Sequence, residues 1–187
     1  MADAVIVTGA SRGIGAATAK LIAANGYAVC VNYRSDAASA NAVVESIRAS
    51  GGRAVAVQAD VSTDAEVKRL FDASDRALGR LMGLVNNAGI LETQTTVAQI
   101  TEERLLRVLR ANVVSAFLCA REAVLRMSRQ HGGQGGAIVN VGSAASRLGA
   151  ANEYVDYAAS KGAIDSLTLG LSNEVAPHGI RVNCVRP

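Results

Sequence analysis

The stretch TGASRGIG, residues 8–15, follows a short apolar run at residues 4–7 and leads into a run of small residues with helical character. Its glycines are Gly9, Gly13 and Gly15. Glycine adopts backbone angles that other residues resist, and it lets a ligand or a neighbouring segment approach closely. The free N–H groups and the dipole at a helix start favour a phosphate. The stretch therefore predicts a strand, a tight turn and a helix that could bind a pyrophosphate.

The glycine spacing alone is weak evidence for a phosphate site, because glycine-rich turns also occur for structural reasons. The spacing is G-x-x-x-G-x-G and differs from the G-x-G-x-x-G of the common dinucleotide fingerprint. Stronger support comes from polar residues that follow the successive apolar runs. These residues are Asn32 to Ser35, Asp60, Asn86, Asn87 and Ser143. In an open parallel sheet such residues share the carboxyl edge, where ligands bind.

The rest of the chain alternates β-branched apolar runs with amphipathic helical patterns. The predicted strands are 4–7, 28–31, 53–58, 83–85, 137–141 and 181–185, and the predicted helices are 14–25, 37–50, 64–78, 102–129 and 152–176. Nearly all strand residues are apolar, which is typical of parallel strands covered on both faces. We therefore expect one α/β domain over residues 1–187, a Rossmann-type doubly wound parallel sheet with strand order 3-2-1-4-5-6 and helices on both faces.

Composition excludes several classes of function. A net charge of +3 without a basic run, and only 3% aromatic residues, argue against a nucleic-acid partner. The apolar runs are too short for a membrane span and the N-terminus does not have the order of a signal peptide, so we expect no membrane partner and a cytoplasmic location. Cys30, Cys119 and Cys184 lie singly in apolar segments, and His131 and His178 are isolated, so we expect no metal.

Further motifs indicate a family. They are TGASRGIG, NNAG at residues 86–89, Asn112, Ser143, and YAASK at residues 157–161. Together they cover nearly the whole chain, and the sequence strongly resembles the short-chain dehydrogenases/reductases, nearest to members grouped with bacterial glucose dehydrogenases and 3-oxoacyl-carrier-protein reductases. The resemblance implies an oxidoreductase that transfers a hydride between a nicotinamide cofactor and a small-molecule carbonyl or secondary alcohol.

Tyr157 and Lys161 are four residues apart, so on a helix their side chains share one face. An ammonium near a phenol favours the phenolate, which makes Tyr157 the predicted general acid for reduction and base for the reverse direction. Ser143 is expected to hydrogen-bond the substrate oxygen. The resemblance implies that Lys161 also binds the nicotinamide ribose and that Asn112 anchors a water linking Lys161 to solvent. Ser160 is predicted to face away and to have no role.

The residues after the second strand bear on the choice of cofactor. Tyr33 stands where NAD enzymes usually place an acid for the ribose 2′-hydroxyl, and Arg34 follows it. Arg34 and Arg12 could together clamp the 2′-phosphate of NADP(H). We therefore prefer NADP(H). Asp36 could still approach a ribose, which leaves NAD(H) as the alternative.

The remaining cofactor contacts are implied by the resemblance. Asp60 and Val61 are expected at the adenine and Asn86 with Ala88 and Gly89 along the middle of the cofactor, whereas Asn87 is expected to brace adjoining strands. The full predicted cofactor set is Gly9, Ser11, Arg12, Gly13, Ile14, Gly15, Asn32, Tyr33, Arg34, Asp60, Val61, Asn86, Ala88, Gly89, Tyr157, Lys161 and Pro187.

The resemblance also implies features beyond the catalytic residues. Family members normally continue after the sixth strand with a loop at the nicotinamide, lid helices and a seventh strand, so a C-terminal portion is expected to be missing and the substrate cannot be named. The predicted helices 102–129 and 152–176 resemble those through which members form homotetramers or homodimers. A second hypothesis is a cofactor-binding redox sensor without turnover, and the intact catalytic set counts against it.

Overall fold

The computed structural model describes residues 3–187, which form a six-stranded parallel sheet. The strands are β1 (Ala4–Val7), β2 (Ala28–Tyr33), β3 (Ala54–Gln58), β4 (Leu81–Asn86), β5 (Gly136–Val141) and β6 (Ile180–Val185). Their order is β3-β2-β1-β4-β5-β6, and each neighbouring pair is parallel. The predicted Rossmann-type class and the predicted strand order are both confirmed.

The helices alternate with the strands along the chain. They are α1 (Gly13–Ala24), α2 (Ala37–Ala49), α3 (Asp64–Leu78), α4 (Glu102–Leu109), α5 (Ser115–Met127), α6 (Ala145–Leu148) and α7 (Val155–Val175). Short 3-10 turns lie at Val97–Gln99, Arg129–His131 and Ala176–His178. The alternation places one or more helices in every crossover between parallel strands, as such a sheet requires.

Two predicted helices need correction. The predicted helix 102–129 is divided by a π-helical turn at Arg110–Val114, which separates α4 from α5. The helix predicted from residue 152 begins at Val155 instead. Its start is delayed because Ala150 and Asn152 have left-handed backbone angles, with φ of 49° and 63°, and such residues cannot continue a right-handed helix.

The two faces of the sheet carry different helices. On one face α3, α5 and α7 cover a core that includes Ile6, Phe71 and Ile138. On the other face α1 and α2 cover β1 to β3. Burial on both faces explains why β1 and β2 read as nearly continuous apolar runs. Because all neighbouring strands are parallel, the residues that follow each strand lie along one edge of the sheet.

No helix within residues 3–187 is long and apolar enough to cross a lipid bilayer. Within the same range, no cluster of three or more His, Cys, Asp or Glu side chains could hold a metal ion.

Candidate active site

The turn between β1 and α1 depends on two glycines with positive φ. Gly9 has φ of 60° and Gly13 has φ of 57°, angles that side chains rarely allow. The backbone N–H of Gly9 donates to Oδ1 of Asn32, at 3.1 Å. A Cβ on Gly9 would lie 3.0 Å from Cα of Ala88. The turn is therefore tied to β2 on one side and passes close to the segment after β4 on the other.

Gly15 allows α1 to approach this turn. A Cβ at Gly15 would stand 2.5 Å from Nδ2 of Asn87 and 2.7 Å from the carbonyl oxygen of Gly9. The Asn87 amide donates to the carbonyls of Thr8 and Gly9, at 2.8 and 3.0 Å. Asn87 therefore braces the glycine turn against the end of β4, and only glycine leaves enough space at position 15.

A first cavity of about 230 Å³ lies over the glycine turn, at the carboxyl ends of β1 to β4. It brings together most of the predicted cofactor residues. Those bordering it are Gly9, Ser11, Arg12, Asn32, Tyr33, Arg34, Asp60, Val61, Ala88 and Gly89. Asn87 and Asp36 border it as well. The separate segments therefore meet at one edge of the sheet, as the sequence predicted.

Arg12 and Arg34 stand at the outer end of the first cavity. Both are exposed, and in the part of the chain that the structure describes neither forms an ion pair. Asp36 caps α2 by accepting a hydrogen bond from the backbone N–H of Ser39, at 3.0 Å. That bond, with a smaller effect of Arg12, lowers the pKa of Asp36 below its ordinary value. The positive charges of Arg12 and Arg34 are therefore available to a ligand in the cavity, whereas the Asp36 carboxylate already accepts a hydrogen bond from Ser39.

A second cavity, of about 220 Å³, continues from the first. The two share Asn87, Gly89 and Ile90 on their walls. The other residues that border the second cavity are Ile14, Leu91, Val141, Gly142, Ser143, Tyr157, Lys161 and Pro187. Together the cavities form one groove along the carboxyl edge of the sheet, with the arginines at one end and Tyr157 at the other.

Tyr157 and Lys161 face each other at the second cavity. Both lie on α7, and Nζ of Lys161 is 5.5 Å from the centroid of the Tyr157 ring. Nζ also donates to the carbonyl of Val141, at 2.7 Å. Lys161 is buried, and this burial lowers its pKa below the ordinary value. Ser143 follows β5 at the same cavity, where its Oγ accepts from the N–H of Ala145, at 3.2 Å.

Asn112 lies in the π-helical turn and is buried. Its Oδ1 accepts from the N–H of Ile90, at 2.7 Å, while Nδ2 donates to the Ile90 carbonyl and to Oγ of Ser160, both at 3.0 Å. Ser160 donates in turn to the carbonyl of Tyr157, at 2.7 Å. Ser160, for which the sequence predicted no role, therefore lies between two predicted catalytic residues. The sequence could have indicated the bond to Tyr157, because a serine in a helix often bonds a carbonyl three or four residues back.

The two consecutive asparagines at the end of β4 have different surroundings. Asn86 is buried and donates to Oδ1 of Asn140, at 2.9 Å, so it ties β4 to β5 and borders neither cavity. Asn87 borders both cavities. Successive residues of an extended chain point to opposite sides, which explains why only Asn87 reaches the cavities. Asn32 borders the first cavity, but its Oδ1 already accepts the hydrogen bond from the Gly9 N–H.

Comparison with known proteins places this groove in a family. The family model for short chain dehydrogenases matches residues 3–187. The chain is 59% identical over 182 residues to an uncharacterized oxidoreductase of Escherichia coli, YgfF, covering 97% of this chain and 74% of that protein. It is 38% identical over 186 residues to a 3-oxoacyl-[acyl-carrier-protein] reductase of Synechocystis, covering 100% of this chain and 73% of that one.

Solved structures agree. A short chain dehydrogenase from Burkholderia cenocepacia, crystallised in complex with NADP, superposes with a TM-score of 0.91 at 37% identity, over 99% of this chain and 73% of that one. A dehydrogenase/reductase from Sinorhizobium meliloti gives a TM-score of 0.93 at 37% identity, over 100% and 72%. With these matches and the groove described above, the chain belongs to the short-chain dehydrogenase/reductase family of NAD(P)-dependent oxidoreductases.

Proposed function

We propose that this protein transfers a hydride between NADP(H) and a small carbonyl or secondary alcohol, with Tyr157 as the general acid in reduction and the base in oxidation. The observation that carries the proposal is the position of Tyr157 beside Lys161 in a cavity continuous with the glycine turn. A phenol beside a fixed cation, at the end of a groove suited to a dinucleotide, is an arrangement for proton transfer next to a cofactor.

The residues of the glycine turn fit a dinucleotide. No atom of residues 3–187 outside the local helix lies within 4 Å of the place where a Cβ of Gly13 would stand, so the start of α1 is open to a pyrophosphate. Arg12 and Arg34 would clamp a 2′-phosphate. Asp36, which caps α2, is less available for a ribose hydroxyl. The NADP bound to the Burkholderia relative supports the same preference. NAD(H) remains the alternative.

The proposed chemistry divides among three side chains. When bound, the dihydronicotinamide supplies the hydride. The Ser143 hydroxyl donates a hydrogen bond to the substrate oxygen and stabilises the charge that develops there. The Tyr157 hydroxyl gives its proton to the same oxygen, and the Lys161 ammonium stabilises the phenolate that is left. In the reverse direction the Tyr157 phenolate accepts the proton of the alcohol.

Asn112 is the fourth member of the proposed catalytic set, and it acts by holding residues around Tyr157 in place. Its amide fixes Ile90, which borders both cavities, and Ser160, which bonds the Tyr157 carbonyl. The water through which Lys161 would regain a proton, implied by the resemblance, remains a proposal at this position.

We further propose that the protein forms a homodimer or homotetramer. An apolar groove of about 620 Å³ runs between α5 and α7. Phe117 and Leu125 on its walls are exposed to 51% and 47%, and Leu169 of the same helix pair to 67%. A second copy presenting the same helices would cover these side chains. A cytoplasmic location is also proposed, because the three cysteines are free and reducing compartments keep thiols free.

The experiment that tests the function is a panel of ketones, sugars and acyl thioesters with NADPH, followed at the nicotinamide absorbance. We expect turnover of at least one compound and a loss of about 10²- to 10⁴-fold in Tyr157→Phe, with NADPH binding retained. Tyr154→Phe, which changes a neighbouring tyrosine, is the matched control. Turnover that survives in Tyr157→Phe would contradict the proposal. Tight NADPH binding without turnover of any compound would favour the redox sensor.

A further inference from the structure

Arg104 of α4 and Asp156 of α7 form an ion pair that is nearly withdrawn from water. Nε of Arg104 lies 2.7 Å from Oδ2 of Asp156, and the two side chains are only 11% and 1% exposed. The residues are 52 positions apart in the chain, and neither belongs to the catalytic set proposed above. A buried pair of this kind adds little net stability, because removing both charges from water costs about as much as their attraction returns. Its value is more often in fixing one arrangement of the elements that carry it.

Asp156 connects this pair to the backbone of Tyr157. Its Oδ1 accepts a hydrogen bond from the Tyr157 N–H, at 2.9 Å. The residue before α7, Tyr154, offers no side-chain cap to the helix start. The first N–H groups of a helix need acceptors, and a negative charge is favourable there. Asp156 supplies both, so the first turn of α7, which holds Tyr157, is capped by a carboxylate that Arg104 keeps in place.

Arg104 also bonds a loop that begins on the wall of the second cavity. Its Nη1 donates to the carbonyl of Thr93, at 2.7 Å. Thr93 lies in the loop of residues 91–96, which begins with Leu91 on the cavity wall. The N–H of Thr95 in the same loop donates to the carbonyl of Glu153, at 3.0 Å, just before α7. One guanidinium therefore joins this loop to the start of the helix that bears Tyr157.

We propose that the Arg104–Asp156 pair is a positioning device that sets where Tyr157 stands in the cavity relative to the loop 91–96. The inference rests on the proposed function for its catalytic meaning and goes beyond it by assigning two residues outside the family motifs. The planar guanidinium suits this task, because its fork can bond the carboxylate and the carbonyl at the same time. A lysine at position 104 would carry the charge without that fork.

The first test needs no substrate. The protein is labelled with 3-fluorotyrosine, and the Tyr157 resonance among the four tyrosines is assigned by its loss in Tyr157→Phe. We expect Arg104→Met and Asp156→Asn each to shift or broaden that ¹⁹F resonance. Arg104→Lys should show a smaller change. Arg69→Met is the control, because Arg69 of α3 pairs with Glu66 while being 54% exposed, and its hydrogen-bond partners lie outside α7 and the loop 91–96. An unchanged Tyr157 resonance in both Arg104→Met and Asp156→Asn would overturn the inference.

The second test measures turnover with the compound of the carbonyl panel that the unsubstituted protein reduces fastest. In Arg104→Met and Asp156→Asn we expect kcat to fall about 10- to 100-fold, with the Kd for NADPH changed by less than about twofold. Asp156→Asn keeps the size of the side chain and an acceptor for the Tyr157 N–H, so it guards against a failure of Arg104→Met to fold. Equal losses of kcat and of NADPH-binding stoichiometry would indicate general unfolding and overturn the inference. If the unsubstituted protein reduces no compound, the proposed function fails, and the fluorine spectra still decide the positioning role.

Discussion

The ammonium nitrogen of Lys161 lies 5.5 Å from the centroid of the Tyr157 ring, one helical turn away on the same face of α7. The same nitrogen donates to the Val141 carbonyl at the end of β5. The sheet and the helix therefore hold the Lys161 ammonium in one position, buried beside the Tyr157 phenol. This relationship leads to the first prediction.

Replacement of Lys161 by methionine should lower kcat by about 10²-fold or more, because the phenolate formed during turnover loses its stabilising charge. The free energy of unfolding should fall by no more than about 1 kcal/mol, since one hydrogen bond is lost and a buried charge is removed at the same time. Steady-state kinetics and urea denaturation measure the two effects. A kcat equal to that of the unsubstituted protein would show that the cation does not act on Tyr157.

The two arginines at the first cavity predict a selective effect on cofactor use. Arg34→Ala and Arg12→Ala should each raise the KM for NADPH about tenfold or more, because a charge-assisted bond to the 2′-phosphate is lost, and should change the KM for NADH much less. The preference for NADPH should also narrow at high ionic strength. Lys20→Ala, an exposed cation on α1, is the control. Equal effects on NADPH and NADH would refute the clamp.

Gly15 should not tolerate a methyl group. In Gly15→Ala the new Cβ would meet Asn87 at 2.5 Å and backbone atoms at 2.7 Å, so α1 would have to move from the turn. We expect a loss of about 1–3 kcal/mol in the free energy of unfolding and weaker NADPH binding. Gly162→Ala, also within a helix, has open space at the same place and should be neutral or stabilising. Thermal denaturation and NADPH fluorescence titration compare the two. Equal behaviour of both variants would contradict the close approach.

The apolar groove between α5 and α7 predicts self-association. Phe117→Glu should place a charge in the contact between copies and shift the protein to a smaller species, as measured by light scattering after gel filtration. Leu21→Glu changes an apolar side chain on α1 that is 66% exposed, and it should leave the oligomer intact. A monomer before any substitution, or an assembly that Phe117→Glu does not alter, would exclude this face as the interface.

Two buried thiols predict a loss of stability at alkaline pH. Burial raises the pKa of Cys30 and of Cys119 from the ordinary value of 9.0 to about 12. Between these values the unfolded chain has lost thiol protons that the folded protein keeps. These thiols therefore leave stability unaffected below pH 9, and between pH 9 and about 12 each should lower the free energy of unfolding by about 1.4 kcal/mol per pH unit.

Urea denaturation of the unsubstituted protein and of a Cys30→Ala/Cys119→Ala variant, at a series of pH values above 9, isolates this effect. The slope of stability against pH should be shallower in the variant by about 2.7 kcal/mol per pH unit, the sum for two thiols. Other groups titrate equally in both proteins. Parallel slopes would show that the buried thiols do not control the alkaline response.

Most of the fold could be predicted from the sequence because its signals are local. The strands are short apolar runs, and the positive φ values of Gly26 and Gly51 lie where helices were expected to stop. The π-helical turn at Arg110–Val114 could not be read in this way. It is held by bonds from Asn112 to Ile90, which is 22 residues away, and helical periodicity does not report such a contact.

In the candidate site, too, features with a local sequence signal could be predicted, and features that depend on distant contacts could not. The four-residue spacing of Tyr157 and Lys161 correctly predicts their proximity, because a helix has a fixed period. Asn86 was expected along the cofactor but borders neither cavity, whereas Asn87 braces the glycine turn and also borders both cavities, because successive residues at a strand end point to opposite sides. The pairing of Arg104 with Asp156 left no pattern in the sequence, because only the packing of α4 on α7 brings them together.

The turn at Gly9 is held in shape by the protein itself, through Asn32 on one side and Asn87 on the other. A loop that must first be ordered by its ligand loses conformational entropy on binding, and that loss weakens the complex. Here the backbone is preorganised, so a dinucleotide should associate without waiting for a rearrangement, and its rate of association should be set by diffusion and charge.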